Sequence, residues 1–374
     1  MKKNKMLLIG IGIVALLGIV SVGIYRDYKI ENEDNVVRIG AILPMTGSVG
    51  FEGERVFAAM KMALEEENSE VTNRCLNLIV EDGKWSAKDT ITAFNRLISK
   101  NVDAIVVFGD TPCLVIDDVS KKSDTPVFCI SGVASLIAGN PNYIQCLFPA
   151  LKPVQRVAEY ALKQDIKTVA VIHLNEPLCS QTVSGFCETY QAGGGTIPIL
   201  EKFSWDEYDT KSIVSKALGT YPSAIFVFGY GPSYISVLNQ IKTQGYKGRV
   251  LTDLNVVAVV DELLDKGDGV IYGDVDFGME STNEQTRLFI QRLKQLYGAD
   301  ANAFAAFSYE AIRICSLAMK DADSSSGGGI VESVRQIQGY KSIAGIVNYN
   351  ENCQLDLPAL VKKRLKDGTA TILE

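Results

Sequence analysis

Short apolar stretches alternate with longer amphipathic stretches through the first part of the chain. The apolar stretches are rich in β-branched residues, as buried strands are, and lie near residues 38–43, 76–81, 103–108 and 127–131. Between them the apolar positions recur at helical spacing, near residues 52–67, 86–100 and 112–122. This alternation predicts βαβ units and a mostly parallel sheet flanked by helices.

The same alternation begins again at about residue 149. Predicted strands lie at 168–173, 196–203, 224–228, 250–252 and 270–275. Predicted helices lie near 151–164, 180–192, 209–218, 232–244 and 256–266. Two amphipathic helices, at 283–297 and 302–320, and a strand-turn-strand tail from Tyr340 follow. The fold class is therefore predicted as α/β, with two lobes that each hold a mostly parallel sheet flanked by helices.

The turn after the first predicted strand has the features of a ligand-binding loop. The strand ends at Pro44, which has no N–H for a sheet ladder. Gly47 and Gly50 follow, and glycine lets a ligand approach the backbone closely. A helical pattern then starts at Glu52. Open α/β sheets bind ligands at such strand-to-helix turns.

The segment IGAILPMTGSVGFEGERVFAAMKMALEEEN resembles the first strand, turn and helix of the type I periplasmic solute-binding proteins. The nearest branch includes the Leu/Ile/Val-binding proteins of ABC importers. The similarity continues in order at residues 78–82, 102–109, 125–131 and 343–352. The resemblance implies a three-stranded hinge between the lobes. It assigns residues 36–148 and 277–337 to lobe 1, and residues 149–276 and 338–374 to lobe 2.

The resemblance implies extracytoplasmic capture of an amino acid or related small carboxylate by closure of the lobes. The partners would be this ligand and the permease subunits of an ABC importer. The alternative is a ligand-sensing receptor domain that signals to a separate membrane or cytoplasmic partner. A neighbouring gene for a permease or for a kinase would distinguish the two.

In the first lobe, the resemblance directs attention to turns that follow predicted strands. The turn from Thr46 to Phe51 is one candidate wall of the site. Asp110 and Thr111 lie where the family has a serine turn that binds the ligand carboxylate, so Asp110 places an anion where an anion should bind. Each of these positions also fits a purely structural role, such as a helix cap.

A third first-lobe turn follows the fourth predicted strand. There the resemblance implies that Val133 offers its carbonyl and Ser135 its hydroxyl to the ligand. A helix cap by Ser135 is the structural alternative.

In the second lobe, the resemblance points to three strand ends. Leu178 stands near a position where the family often has an aromatic residue, and Tyr230 matches a ligand-facing tyrosine. The family acid that pairs with an ammonium group falls by spacing on Leu254. Asp253 would serve only if that turn shifts by one residue.

The N-terminal residues 1–35 are predicted to lie outside the fold. A basic head precedes an apolar run at residues 6–24, about the length that spans a bilayer. We expect an uncleaved membrane anchor with the body outside the cytoplasmic membrane, and a cleaved signal segment is the alternative.

Composition and missing motifs count against several functions. The net charge of −7 provides no basic surface for nucleic acid. His173 is the only histidine, and neither a GxSxG elbow nor a GxxxxGK[ST] loop occurs. We therefore expect no enzymatic activity, no cofactor and no metal. The eight cysteines fit either disulfides or small buried hydrophobic residues.

Overall fold

The computed structural model describes residues 36–69, 74–281, 283–321 and 327–374. The predicted anchor, residues 1–35 with its apolar run at 6–24, lies outside them. Within the described ranges, no helix is both long enough and apolar enough to cross a membrane.

The first sheet has five parallel strands in the order β2-β1-β3-β4-β5. They are β1 (Val36–Leu43), β2 (Cys75–Asp82), β3 (Ala104–Phe108), β4 (Val127–Ile130) and β5 (Tyr143–Gln145). The helices that connect and follow them are α1 (Gly50–Ser69), α2 (Ala87–Ser99), α3 (Asp110–Val115), α4 (Asp117–Ser120) and α5 (Ala134–Ala138).

The second half contributes five more parallel strands and their helices. The strands are β6 (Val169–Leu174), β7 (Leu200–Phe203), β8 (Ala224–Phe228), β9 (Arg249–Asp253) and β10 (Ile271–Asp274). The helices are α6 (Leu151–Lys163), α7 (Pro177–Ala192), α8 (Lys211–Leu218), α9 (Gly231–Thr243) and α10 (Asn255–Ala258). The helix predicted over 256–266 is replaced by α10 and two short 3-10 turns, Val260–Glu262 and Leu264–Gly267, which the extended backbone of Leu263 separates.

In the described residues after β10, three α-helices and five strands follow. They are α11 (Glu284–Tyr297), α12 (Ala303–Asp321), α13 (Gly327–Arg335), β11 (Tyr340–Ser342), β12 (Gly345–Tyr349), β13 (Leu355–Asp356), β14 (Leu360–Arg364) and β15 (Ala370–Ile372). β14 and β15 extend the second sheet as antiparallel strands, in the order β15-β14-β10-β9-β8-β6-β7. The two mostly parallel sheets, both flanked by helices, confirm the predicted fold class.

The first core contains residues near the C-terminus that were predicted to lie in lobe 2. β11, β12 and β13 form a small antiparallel sheet, and their apolar side chains pack with α1 and α12 around the first sheet. The Tyr349 hydroxyl donates to the Gln145 carbonyl at 2.8 Å, and the Ile343 N–H donates to Glu310 Oε1 at 2.6 Å. Residues 343–357 therefore pack in the first core, although the family resemblance predicted that residues 338–374 belong to lobe 2.

The chain passes between the two cores three times. Phe148, Val275 and Leu357 pack in the first core. Val154, Tyr272 and Val361 pack in the second. The third crossing thus lies near residue 358 and not near residue 338.

Parallel pairing brings strand ends together at one edge of each sheet. In the first sheet, β1 is flanked by β2 and β3, so the strand order reverses there. In the second, β6 is flanked by β7 and β8 in the same way. Ligands of open α/β sheets bind at such reversals, outside the carboxyl ends of the strands.

Candidate functional site

A cavity of about 150 Å³ lies between the carboxyl ends of the two sheets. Its lining comes from the segments after β1, β3 and β4 and from those after β6, β8 and β9. One bound water needs about 10–15 Å³, so the cavity has room for roughly ten non-hydrogen atoms. That is the size of an amino acid or a small aromatic compound.

The wall from the first sheet is largely aromatic. The Trp85 and Phe108 ring centroids are 6.1 Å apart, and Phe304 meets Phe108 edge-on at 5.8 Å. Gly109 has φ +105°, and a Cβ there would lie 2.4 Å from the Trp85 indole. A glycine is therefore required for the indole to lie over the start of α3.

Asp110 is the charged group of this wall. It is half-buried, and its Oδ1 accepts hydrogen bonds from the Ser131 hydroxyl at 2.7 Å and the Gly132 N–H at 3.0 Å. Burial nevertheless raises the pKa of the Asp110 carboxyl above its ordinary value, and the nearby Glu176 raises it further. A buried carboxyl of this kind is stabilised by a cation or by a proton.

Glu52 also reaches the cavity, from the first turn of α1. Its carboxylate pairs with Arg55 at 2.6 Å and accepts from the Asn302 amide at 3.0 Å. Burial raises the pKa of Glu52, and the Arg55 guanidinium opposes that shift. Its charge is thus balanced by a neighbour on its own helix.

The wall from the second sheet contains Tyr230, which caps α9 from the end of β8. Its hydroxyl donates to Glu176 Oε2, and its ring meets Trp205 at 5.6 Å. Burial raises the pKa of the Tyr230 phenol, so the hydroxyl stays protonated and able to donate.

Asp253 is fully buried at the end of β9 and lines the same cavity. Its carboxylate accepts from the Asn255 amide at 2.7 Å and from the Thr252 hydroxyl at 3.4 Å. Burial raises the pKa of Asp253 well above its ordinary value. No lysine or arginine lies beside it among the described lining residues.

The two walls touch each other around the cavity. Trp85 meets Tyr230 edge-on, with ring centroids 6.2 Å apart. The Ser135 hydroxyl in the first turn of α5 donates to Gln181 Oε1 on α7 at 3.2 Å. Residues from both halves therefore close over the same space.

Of the nine residues singled out from the sequence, four line the cavity. These are Phe51, Asp110, Tyr230 and Asp253. Leu254, on which the family acid falls by spacing, also lines the cavity and packs with the first core.

The other predicted residues have different surroundings. Thr46 is exposed and donates to Asp82 at 2.6 Å, and Ser135 makes the contact with Gln181 described above. Thr111 is half-buried in the first turn of α3. The Val133 carbonyl accepts the N–H groups of Leu136 and Ile137, which starts α5. The side chain of Leu178 is not among those described.

Sequence reasoning missed the aromatic residues. Trp85 follows β2, and Phe108 is the last residue of β3. Trp85 had a usable signal, because it comes two residues after the Asp82-Gly83 turn at a predicted strand end. Phe304 had none, since it reaches the cavity from α12, far away in the chain.

The histidine and most of the cysteines lie away from the cavity, and Cys179 is the cysteine among its described lining residues. The His173 Nδ1 lies 2.8 Å from the Leu174 carbonyl, and burial lowers the pKa of the imidazole. All eight cysteines are thiols. Across the described ranges, no group of His, Cys, Asp and Glu side chains could hold a metal ion.

Solved structures share this fold over most of the chain. A leucine-binding protein from Thermotoga maritima superposes with a TM-score of 0.83 at 22% identity, covering 90% of this chain and 98% of that one. A solute-binding protein of an ABC transporter from Rhodopseudomonas palustris, in complex with 3,4-dihydroxybenzoic acid, gives a TM-score of 0.82 at 18% identity, covering 90% and 95%.

Sequence comparisons give the same result. A Leu/Ile/Val-binding protein homolog from Brucella suis is 19% identical over 347 residues, which cover 89% of this chain and 91% of the relative. The family model described as "Periplasmic binding protein" matches residues 36–359. The chain therefore belongs to the periplasmic binding protein family, whose members bind solutes outside the cytoplasm rather than convert them.

Proposed function

We propose that this chain is the solute-binding subunit of an ABC importer and captures an amino-acid-sized molecule between its two lobes. The observation that carries the proposal is the cavity itself, which is lined from the strand ends of both sheets. A molecule in that position contacts both lobes at once only when they are closed.

The mechanism is a shift of population. A ligand that binds the closed arrangement better than the open one moves the equilibrium toward closure. The three chain crossings between the cores are the segments about which the lobes would move. The closed form would then be the one that the permease subunits recognise.

The ligand class rests on the resemblance and on the cavity walls. The amino acid or small carboxylate expected from the sequence has an apolar body and a charged end. Phe108, Trp85 and Phe304 offer the apolar wall for such a body. The charged end would meet Asp110 or Asp253, and an amino group suits these carboxyls better than a carboxylate does.

The two tryptophans of the chain allow a direct test. Trp85 lines the cavity and meets Tyr230 across it, whereas Trp205 meets the same tyrosine within the second lobe. The full-length Trp205→Phe protein, which retains Trp85, should change its emission when a solute binds. The matched Trp85→Phe protein should respond much less.

The panel should hold amino acids, small aromatic acids and amines, with melting temperature as a second readout. A solute at 100 times its Kd adds about 2.7 kcal/mol of stability. If no compound of any charge changes either the Trp85 emission or the melting temperature, solute capture is refuted.

We also propose that residues 6–24 hold the protein at the cytoplasmic membrane. The support is their uninterrupted apolar character after a basic head. In membrane fractions, a tethered protein resists carbonate extraction and keeps its N-terminal residues, whereas recovery of a shortened soluble form would contradict the proposal.

A further inference from the structure

Two carboxyl groups from different strand ends, Asp110 and Asp253, line the cavity together with the thiol of Cys179, and a third, Glu176, accepts from the lining Tyr230 hydroxyl. Burial raises the pKa of the Cys179 thiol, and Glu176, Asp110 and Asp253 raise it further. Asp110 follows β3, Glu176 follows β6 and Asp253 ends β9, so the first and second sheets both contribute. Among the described residues that line the cavity, none is lysine, arginine or histidine.

The donors near Asp110 are already occupied by the protein. The Ser131 hydroxyl and the Gly132 N–H both donate to Asp110 Oδ1, at 2.7 and 3.0 Å. The Tyr230 hydroxyl donates to Glu176. A ligand carboxylate at this end of the cavity would lie beside the carboxyl groups of Asp110 and Asp253 with no cationic side chain to pair with among the described lining residues. Its negative charge would oppose their ionisation, so its binding is disfavoured.

The remaining walls suit the body of an organic cation. Trp85, Phe108 and Tyr230 present aromatic rings to the cavity. Aromatic faces attract ammonium groups, most strongly where water is excluded. Glu52 does not alter the balance, because Arg55 neutralises it.

We propose that the solute captured in this cleft is an organic amine with an apolar body and no carboxylate. This inference rests on the proposed solute-capture function and names the class of its ligand. The ammonium group lies between Asp110 and Asp253, and the apolar body lies against the aromatic wall. The cavity and the family membership define the site, and the carboxyl groups define the charge that it accepts.

Two matched sets of compounds test the charge preference on the full-length protein. The first set is 2-phenylethylamine, phenylalanine and 3-phenylpropanoate, and the second is 3-methylbutylamine, leucine and 4-methylpentanoate. Within each set the body stays the same while the ligand is a cation, a zwitterion or an anion. We expect the amine to bind at least about tenfold more tightly than the zwitterion by calorimetry, and the anion not to bind.

Asp110→Asn keeps the shape of the side chain and removes its charge. It should weaken amine binding about 30-fold or more, as expected for loss of one member of a buried ion pair. Asp165→Asn is the matched control, since Asp165 is exposed and its positive φ suits asparagine. If Asp110→Asn does not fold, Asp253→Asn serves the same purpose.

Proton release gives an independent readout. Burial keeps the pKa values of Asp110 and Asp253 raised, and an ammonium ion beside them lowers both, so amine binding should release protons. The groups that face the two carboxyls are Ser131, Gly132, Glu176, Thr252, Asn255, Asp274 and Cys179. The binding enthalpies measured in phosphate and in Tris buffer should therefore differ.

The outcomes separate the two proposals. Tighter binding of a zwitterion or an anion, or unchanged amine affinity in Asp110→Asn, overturns the cationic ligand and leaves solute capture intact. If no compound of either set or of the wider panel binds, both proposals fail.

Discussion

Substitution of Lys362 tests how much its buried ion pairs stabilise the second lobe. Its side chain is fully buried on β14, with the ammonium 3.2 Å from Asp274 Oδ2 and 3.0 Å from Glu280 Oε1. It also donates to the Phe277 carbonyl, in the segment that leaves the second core for the first. Burial alone would lower the pKa of Lys362, but Asp274 and Glu280 outweigh it and raise that pKa, so the group stays charged.

Lys362→Met keeps the length of the side chain and removes the charge. It leaves Asp274 buried without its counter-ion, and breaking a buried pair in this way costs about 3–5 kcal/mol of the free energy of unfolding. Since each kcal/mol lowers the melting temperature of a large domain by about 2 °C or more, the expected shift is roughly 6–10 °C.

The cost should depend on pH in a defined direction. Burial raises the pKa of Asp274 above its ordinary value of 3.8 even beside Lys362, which opposes that shift, so removing Lys362 should raise the pKa further. A carboxyl whose folded pKa is raised loses stability as pH rises from its unfolded pKa through its folded pKa. The deficit of Lys362→Met relative to wild type should therefore be larger at neutral than at mildly acidic pH.

Urea denaturation of the full-length proteins, followed by circular dichroism, measures the difference. Lys216→Met is the matched control, because Lys216 pairs with Glu201 at 3.3 Å on the surface and should cost less than about 1 kcal/mol. Adding Asp274→Asn to Lys362→Met should restore part of the loss, since the buried charge of Asp274 is then absent and only the less buried Glu280 lacks its counter-ion. Equal losses in Lys362→Met and Lys216→Met would refute the reasoning.

Two further predictions concern the cavity. Gly109→Ala should cost about 1–3 kcal/mol of stability, because its backbone is accessible essentially to glycine alone, and it should also change Trp85 emission. Gly194→Ala is the control, because φ of Gly194 is also positive but no atom lies within 4 Å of an added Cβ. It should lower stability and leave the Trp85 emission unchanged. Identical Trp85 emission in the two variants would contradict the contact between Gly109 and the Trp85 indole. The raised folded pKa of Asp253 means that the contribution of this carboxyl to the free energy of unfolding falls as pH rises from its ordinary value of 3.8 toward the raised one. In urea titrations, the free energy of unfolding of Asp253→Asn should therefore increase relative to that of wild type as pH rises. The same pH dependence in both proteins would rule this out.

The positions of four cavity residues could be predicted because they lie at strand ends. Phe51, Asp110, Tyr230 and Asp253 each follow an apolar stretch whose length and composition indicate a buried strand. Parallel pairing then brings such ends to one edge, whatever the details of packing. The same argument does not predict which atoms form hydrogen bonds within the protein. The Val133 carbonyl was expected to bind the ligand, but it accepts the first backbone hydrogen bonds of α5.

The sequence by itself determined the alternation of strands and helices. With it came the two mostly parallel sheets and the edge of each sheet at which the cavity lies. These features depend on periodicity and turn residues, which are local. Only the tertiary structure decided that residues 343–357 join the first core, that Phe304 reaches the cavity, and that Lys362 meets Asp274. Each of these depends on contacts between residues far apart in the chain, and such contacts leave no periodic signal because they are selected by the shape and charge of the assembled surfaces.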